Sequence, residues 1–520
     1  MTESSLIGFT KGSVTDATFN ATNPATGETS ETSFCHASGE DVSNACQLAS
    51  DASLAMAALS GAQKGSFLRD LADRIDGLVD QLVVTMTAET GLPEPRVRGE
   101  TGRTTFQLRM FADLVESGDW VDARIDRAQP DRQPLPKPDL RSMLRPVGPV
   151  VVFCASNFPL AFSVAGGDSA SAWAAGCPVI VKAHHAHPGT ALLVGNAVVD
   201  SVRASGLPEG AFSLIFGDGR TVGQSLVKHP AIKAVGFTGS RAGGRVLFDL
   251  ASQRDEPIPV YAEMSSVNPI FILPGLGNEK MSEIAAGLQG SATLGVGQFC
   301  TNPGIVFYPR GAGGESMVSE YVEKMKESTS APMLHKGIRE AYAEGLDSLE
   351  RLDGVEVLVS SANDTGPGQC HAGACVLSTD SKTFLSDERM VEEVFGPSTL
   401  LVSYETPSDL LRIADFLEGQ LTASLFGEEM QLSEFEELLD LLETKAGRLL
   451  FNQFPTGVEV CPSVVHGGPY PATTDGRSTS VGTGAILRFA RPVCYQGFPD
   501  HLLPDELKEG NPMEISRHEA

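Results

Sequence analysis

Apolar residues recur at spacings of three and four between positions 66 and 88, at Phe67, Leu71, Ile75, Leu78, Leu82 and Met86, and Gly91 and Pro93 follow them. A helical period closed by a glycine and a proline predicts one amphipathic helix over that stretch. From residue 146 the texture changes. Short apolar runs, "PVVVF", "PVIVK", "FSLIF" and "AIKAVGF", each lead into a turn and a segment of helix length. Strands alternating with helices predict a parallel sheet wound with right-handed crossovers, hence an α/β fold. A second alternating region runs from about 266 to 450 and includes "NPIFILPG" and an acidic, helix-like run over 428 to 445. Ahead of the first region, "IDRAQPDRQPLPKPDLRSMLR" at 125 to 145 is rich in proline and charge, which predicts a linker or an arm leaving the domain.

Length and composition narrow the class. A chain of 520 residues holds two or three domains, because single cores stop growing at roughly 250 to 300 residues. With 41% hydrophobic and 20% charged residues the composition is ordinary for a globular protein. A formal charge of −27 argues against nucleic acid or an anionic membrane as partner, since both require a basic surface. Nine scattered cysteines, an odd number, do not make a disulfide framework and point to a reducing compartment. The N-terminal "MTESSLIGFTKG" lacks a basic segment followed by an apolar core, so a cytoplasmic protein is expected. Cys370, His371 and Cys375 lack a second ligand pair at zinc spacing, and His184, His185 and His187 lack companions, so no metal is expected.

In parallel α/β sheets, ligands bind at the carboxyl ends of the strands. Asn157 in "CASNFPLAF" follows such an end, where an Asn either caps a helix or donates its amide to an oxyanion. Lys182 closes the next strand, within reach of a ribose or phosphate. "GFTGSRAGG" places Gly239, Ser240 and Gly244 over the start of a helix, an arrangement suited to a phosphate. Glu263 ends the strand in "VYAEMSSVNP", as a cap, an ion-pair partner or a general base. "GVGQFCTNPG" sets Cys300 among small, chain-bending residues, as a buried thiol or as a nucleophile.

Taken together, these positions resemble the aldehyde dehydrogenase superfamily. The likeness runs from "NPATGE" at 23 to 28, through "FTGS", "GQFC" and "EEVFGP" at 392 to 397, to the Asn452 to Gly468 region. "VKAHHAHPGT", "AEMSSVNP", "FPTGVEV" and "HGGPYPATTD" are similar to the NADP-preferring branch that includes 2-oxoglutarate semialdehyde (2,5-dioxopentanoate) dehydrogenases and a bacterial fatty-aldehyde dehydrogenase. As in that branch, "EMSSV" replaces the superfamily's common E-L-G-G-K after the base strand.

The resemblance implies a chemistry. Cys300 is the expected nucleophile, the Asn157 amide and the Cys300 N–H the oxyanion donors, and Glu263 the base for thioester hydrolysis. Glu393 is expected to hold the nicotinamide ribose, with Phe395 beside the ring. His185 stands where NAD-specific members tend to carry a Glu that repels a 2′-phosphate, and Lys182 and Arg220 add positive charge, so NADP is expected, with NAD as the alternative. The implied substrate is 2-oxoglutarate semialdehyde, ahead of medium- or long-chain aliphatic aldehydes. Its pocket is expected around Phe158 to Phe162 and Gly457 to Val465, with Arg98, Arg103 and Arg109 as candidate anchors. The implied architecture is a Rossmann-type cofactor domain (1–124 and 146–265), an α/β catalytic domain (266–450), a return segment (451–485) and an oligomerisation arm (125–145 and 486–505), assembled as a homodimer. Two rivals remain at this point, a non-catalytic protein on the same fold and a CoA-acylating dehydrogenase.

Overall fold

The apolar runs after residue 146 are strands buried on both faces, which is why they read as continuous rather than alternating. In the computed structural model, which describes residues 1–360 and 366–520, Val150–Phe153 lies at the centre of a seven-stranded sheet. The chain moves outward on one side through Val179–Lys182 and Phe212–Ile215, then crosses back to Ala234–Thr238 and Val260–Glu263 on the other. These five strands are parallel, and the short strands Leu6–Ile7 and Thr10–Lys11 add an antiparallel edge. The reversal of direction beside Val150–Phe153 is a topological switch point, where a ligand crevice opens at the strand ends.

A second seven-stranded sheet runs in the order Glu356–Ser360, Cys375–Asp380, Ser398–Tyr404, Ile305–Pro309, Ile270–Ile272, Gln420–Phe426 and Ala446–Phe451, parallel except for its first strand. The proline-rich segment proves to be an arm that ends in a strand. Leu140–Pro146 pairs antiparallel with Ala490–Gln496, Met143 opposite Val493, in a four-stranded sheet completed by Arg124–Asp126 and His518–Glu519. Among the described residues no helix is long and apolar enough to cross a membrane.

Two expected elements differ. The single helix over 66–88 is two, Gly61–Asp76 and Val79–Thr90. Ser60 and Gln63 form a capping box that starts the first helix earlier than the apolar pattern does. At the break, the Gly77 and Leu78 amides fold back onto the carbonyls of Asp73 and Ile75. The apolar stripe continues across it because both helices pack on the same core, so periodicity alone hides the joint. The acidic run over 428–445 is likewise divided, into a tight 3₁₀ segment Glu429–Phe435 and a helix Glu436–Glu443.

One late segment matters for the site. The Met264 amide donates to the Ala472 carbonyl (2.8 Å) and the Thr474 amide to the Ala262 carbonyl (3.1 Å). The chain after residue 451 is thereby laid along the edge strand that ends in Glu263, bringing His466 and Ser480 to that carboxylate.

Candidate active site

The loop before Cys300 is strained for a reason visible in its packing. Gly295, Val296 and Gly297 all have left-handed φ (56°, 59° and 64°), which is costly for a β-branched valine. A Cβ on Gly297 would lie 2.2 Å from the Gly396 carbonyl oxygen, so only glycine lets the two chains approach there. Asn268 clamps the other side, its amide donating to the carbonyls of Cys300 (2.8 Å) and Asn302 (2.9 Å). The same close approach carries Glu393 and Phe395 to the site.

Cys300 Sγ lies 3.3 Å from His466 Nε2, which is 2.9 Å from Glu263 Oε1. Ser480 Oγ donates to the other oxygen of that carboxylate at 2.6 Å. His466 Nδ1 is buried without a partner, and a carboxylate beside Nε2 requires a proton there. His466 therefore holds its proton on Nε2, facing both Glu263 and the sulfur. Burial acts to raise the Glu263 pKa, but the field of His466 and hydrogen bonds from His466, Ser480 and Cys300 outweigh it and hold the carboxyl below its ordinary value. Burial pushes the Cys300 thiol well above its ordinary value, and the Glu263 charge adds to the rise while Arg103 opposes it. A thiol held high thus sits beside a carboxylate held low, an arrangement suited to a nucleophile and its base. The side-chain amide of Asn157, itself buried, donates to the Gln298 carbonyl at 3.1 Å, next to the thiol loop.

In the sequence His466 is simply part of "HGGPYPATTD". The resemblance implies that 451–485 returns to the cofactor domain, but not that the return runs along the Glu263 strand and sets this histidine against the carboxylate.

Cys300, Glu263 and Asn157 line the inner end of a cleft of about 1000 Å³ that also takes in Lys182, His185, Arg220, Gly239, Ser240, Glu393 and Phe395. The cleft fits a dinucleotide. Lys182 is buried, has no ion pair among the described residues, and is depressed in basicity by burial, so an anionic or hydroxyl partner would relieve it. Ser240 caps the helix Arg241–Ser252 by accepting from the Gly243 amide, which leaves the helix start facing the cleft. Arg220 sits exposed on a turn fixed by Asp218, whose carboxylate accepts from the Arg220 and Thr221 amides. Burial raises Glu393 to about 7 against hydrogen bonds from Ser265 and Ser266.

Two expectations about this cleft are corrected. Gly244 does not face it: a Cβ there would meet Met264 Sδ at 2.7 Å, so this glycine serves close packing of helix on strand, and Gly243 takes the cleft position. His184 and His185 do have a companion, His335 from the second sheet's side, whose ring lies 5.5 and 5.1 Å from theirs. Of the three arginines considered as anchors, Arg98 pairs with Glu94 and Asp80, and Arg109 with Asp73 and Asp76, both at the surface. Arg103 is instead turned inward.

Strand-end residues, a thiol on a tight loop and a base on the facing strand define an oxidoreductase site for aldehydes. The chain belongs to the aldehyde dehydrogenase family, whose model matches residues 9–469, and its cofactor is accordingly a nicotinamide dinucleotide. Among its relatives, alpha-ketoglutaric semialdehyde dehydrogenase 2 of Azospirillum brasilense is 48% identical over 518 residues, covering 99% of this chain and 98% of that one. The alpha-ketoglutaric semialdehyde dehydrogenase of Acinetobacter baylyi is 45% identical over 485 residues, 93% and 91% of the two chains. Of the solved structures, lactaldehyde dehydrogenase from Escherichia coli superimposes with a TM-score of 0.82 at 20% identity, covering 95% of this chain and 99% of that one. A 3,6-anhydro-L-galactose dehydrogenase in complex with NAP gives 0.80 at 21%, covering 95% and 100%. These structures share the fold.

Proposed function

We propose that this chain oxidises 2-oxoglutarate semialdehyde (alpha-ketoglutaric semialdehyde) to 2-oxoglutarate with NADP, as a cytoplasmic homodimer. The observation that carries the reading is the Glu263–His466–Cys300 arrangement within a chain 45–48% identical, over nearly its whole length, to two dehydrogenases of that semialdehyde. Free thiols suit a reducing compartment, and the exposed edge strand Ala490–Gln496 offers a second copy a backbone to pair with.

Cys300 gives up its proton to solvent, a loss that Glu263 assists, and the thiolate adds to the aldehyde carbon to give a thiohemiacetal whose oxyanion is held by the Asn157 amide and the Cys300 N–H. A nicotinamide dinucleotide held in the cleft by Glu393 and Phe395 would supply the hydride acceptor that thioester formation requires. Glu263 then takes a proton from water as hydroxide adds to the thioester, and passes it to the sulfur as the acid departs and the thiol is restored. A retained hydrolytic base favours water over CoA as acyl acceptor. His466 keeps Glu263 ionised and offers its Nε2 proton to the thiolate, so His466→Ala lowers kcat/KM by about 100-fold. With that donor gone the thiolate is less stable, and the acid limb of the pH–rate profile moves to higher pH. An unmoved limb would reduce His466 to a packing role.

NADP is supported by His185, which the resemblance puts where NAD-specific members tend to carry a Glu, with Lys182 and Arg220 lining the same cleft. The test is a set of kcat/KM values for 2-oxoglutarate semialdehyde and hexanal, each with NADP and NAD. The semialdehyde with NADP gives the highest value. A higher value with hexanal overturns the substrate, and a higher value with NAD overturns the cofactor.

A further inference from the structure

Two arginines near the thiol form no ion pair among the described residues. Arg103 projects from the helix Glu94–Ser117 and Arg448 from the last strand of the second sheet, Ala446–Phe451, so they approach from opposite bodies of the protein. Both converge on the loop 455–458. Arg103 Nη1 donates to the Val458 carbonyl at 2.7 Å, and Arg448 to the carbonyls of Pro455 (2.8 Å) and Gly457 (3.2 Å). Neither forms an ion pair among the described residues, and in both the Nε is buried with no hydrogen-bond partner. That contrasts with Arg98 and Arg109 on the same helix, each held between two carboxylates. A guanidinium that is desolvated but lacks an anion is unfavourable unless a ligand completes it. Burial lowers the basicity of both; at Arg103 it is opposed by Glu100, then by a Cys300 thiolate and by Glu459, and at Arg448 by a Cys300 thiolate, so both lie within electrostatic reach of the reacting sulfur.

An apolar cluster adjoins both the site and the arginine-bearing loop. The Phe162 ring lies 6.4 Å from that of His466, and Phe158 and Phe162 cluster with Val458 and Val460. Thr456 Oγ1 donates to the Thr301 carbonyl, tying the arginine-bearing loop to the nucleophile loop. Thiol, apolar cluster and two cations are therefore neighbours. Together they match a molecule with an aldehyde at one end, methylenes in the middle and an anionic, planar group at the other.

We infer that Arg103 and Arg448 together form a subsite that binds the substrate's carboxylate and adjacent 2-oxo group. This rests on the substrate reading above. Arg103 Nη2, which has no partner and is not enclosed, donates to the ligand while Nη1 stays on the Val458 carbonyl, and Arg448 adds its charge from the same loop, so binding brings an anion to two cations that no ion pair neutralises. A plain aliphatic aldehyde would leave both unrelieved, and the pair thus selects against it as well as for the oxo acid.

The test uses full-length protein with Arg103→Gln and Arg448→Gln, singly and together, assayed with 2-oxoglutarate semialdehyde, succinate semialdehyde and pentanal. Each single change lowers kcat/KM for 2-oxoglutarate semialdehyde by about 100-fold, the loss expected when one partner of a buried charge pair is removed. Most of it falls on KM, and pentanal loses far less. Thermal stabilisation by added 2-oxoglutarate, which needs no turnover, disappears in the same variants. Equal losses on the semialdehyde and on pentanal, or stabilisation by 2-oxoglutarate like that of the parent, overturn the subsite. The substrate reading fails separately. If the parent prefers succinate semialdehyde and the variants lose that preference, the subsite stands and the assigned substrate falls. If the parent prefers pentanal, both fall.

Discussion

Cys300→Ala eliminates reduction of the cofactor by any aldehyde, lowering kcat/KM by at least about 10,000-fold, the scale seen when a covalent nucleophile is removed. The effect is large because no neighbouring group can replace the sulfur. His466 offers a proton at that point rather than a lone pair, Ser480 is committed to Glu263, and Cys154, the other thiol on the cleft, is buried and pushed up to about 11. The substitution is also gentle. The loop is fixed by backbone and by Asn268, not by the sulfur, so cofactor binding by fluorescence quenching persists in the variant. Residual turnover within about 100-fold of the parent would mean that hydride leaves from a hydrated aldehyde with general-base help alone.

Glu263→Gln separates the two halves of the reaction. A glutamine fills the same space and still meets Ser480 and His466, but it cannot take a proton from water. The first turnover then releases one reduced cofactor per site and the steady state falls by about 100- to 10,000-fold, the range expected for loss of a general base. If both phases slow together, thiol deprotonation by Glu263 limits acylation too, and the burst vanishes. The sign of the pH effect follows from the held carboxyl. Because His466 and its hydrogen bonds keep Glu263 below its ordinary value, the parent retains its base at mildly acidic pH. Loss of activity there belongs to the thiol, which burial holds high.

Much of this site could be read from the sequence because its residues sit at strand ends, where chain order dictates position. Asn157, Lys182 and Glu263 follow runs of buried β-branched residues, and the turn after each run brings them to one crevice. Cys300 was legible for a different reason, since glycines on both sides of Val296 mark a backbone that must bend. The residues that escaped depend on tertiary routing. His466 and Ser480 reach Glu263 only because the tail hydrogen-bonds along the Ala262–Met264 edge, and His335 reaches His184 and His185 across the cleft from the other sheet. Gly244 shows the limit of spacing. One residue's rotation on the helix turns a phosphate glycine into a packing glycine against Met264. The arginines make the same point, for Arg98, Arg103 and Arg109 are alike in sequence and only the acids around them distinguish surface ion pairs from an inward, unpaired cation. The joint at Gly77 was hidden because the stripe it interrupts faces a single core.

The central claim is an acyl group on Cys300, and it can be observed directly. Glu263→Gln is mixed with NADP and 2-oxoglutarate semialdehyde, quenched in acid during the burst, digested, and the peptide bearing "GQFC" is weighed. The account predicts one 2-oxoglutaryl group on Cys300 for each reduced cofactor released, absent when NADP is omitted. Release of reduced cofactor with Cys300 unmodified, or with the acyl group on another residue, would contradict it.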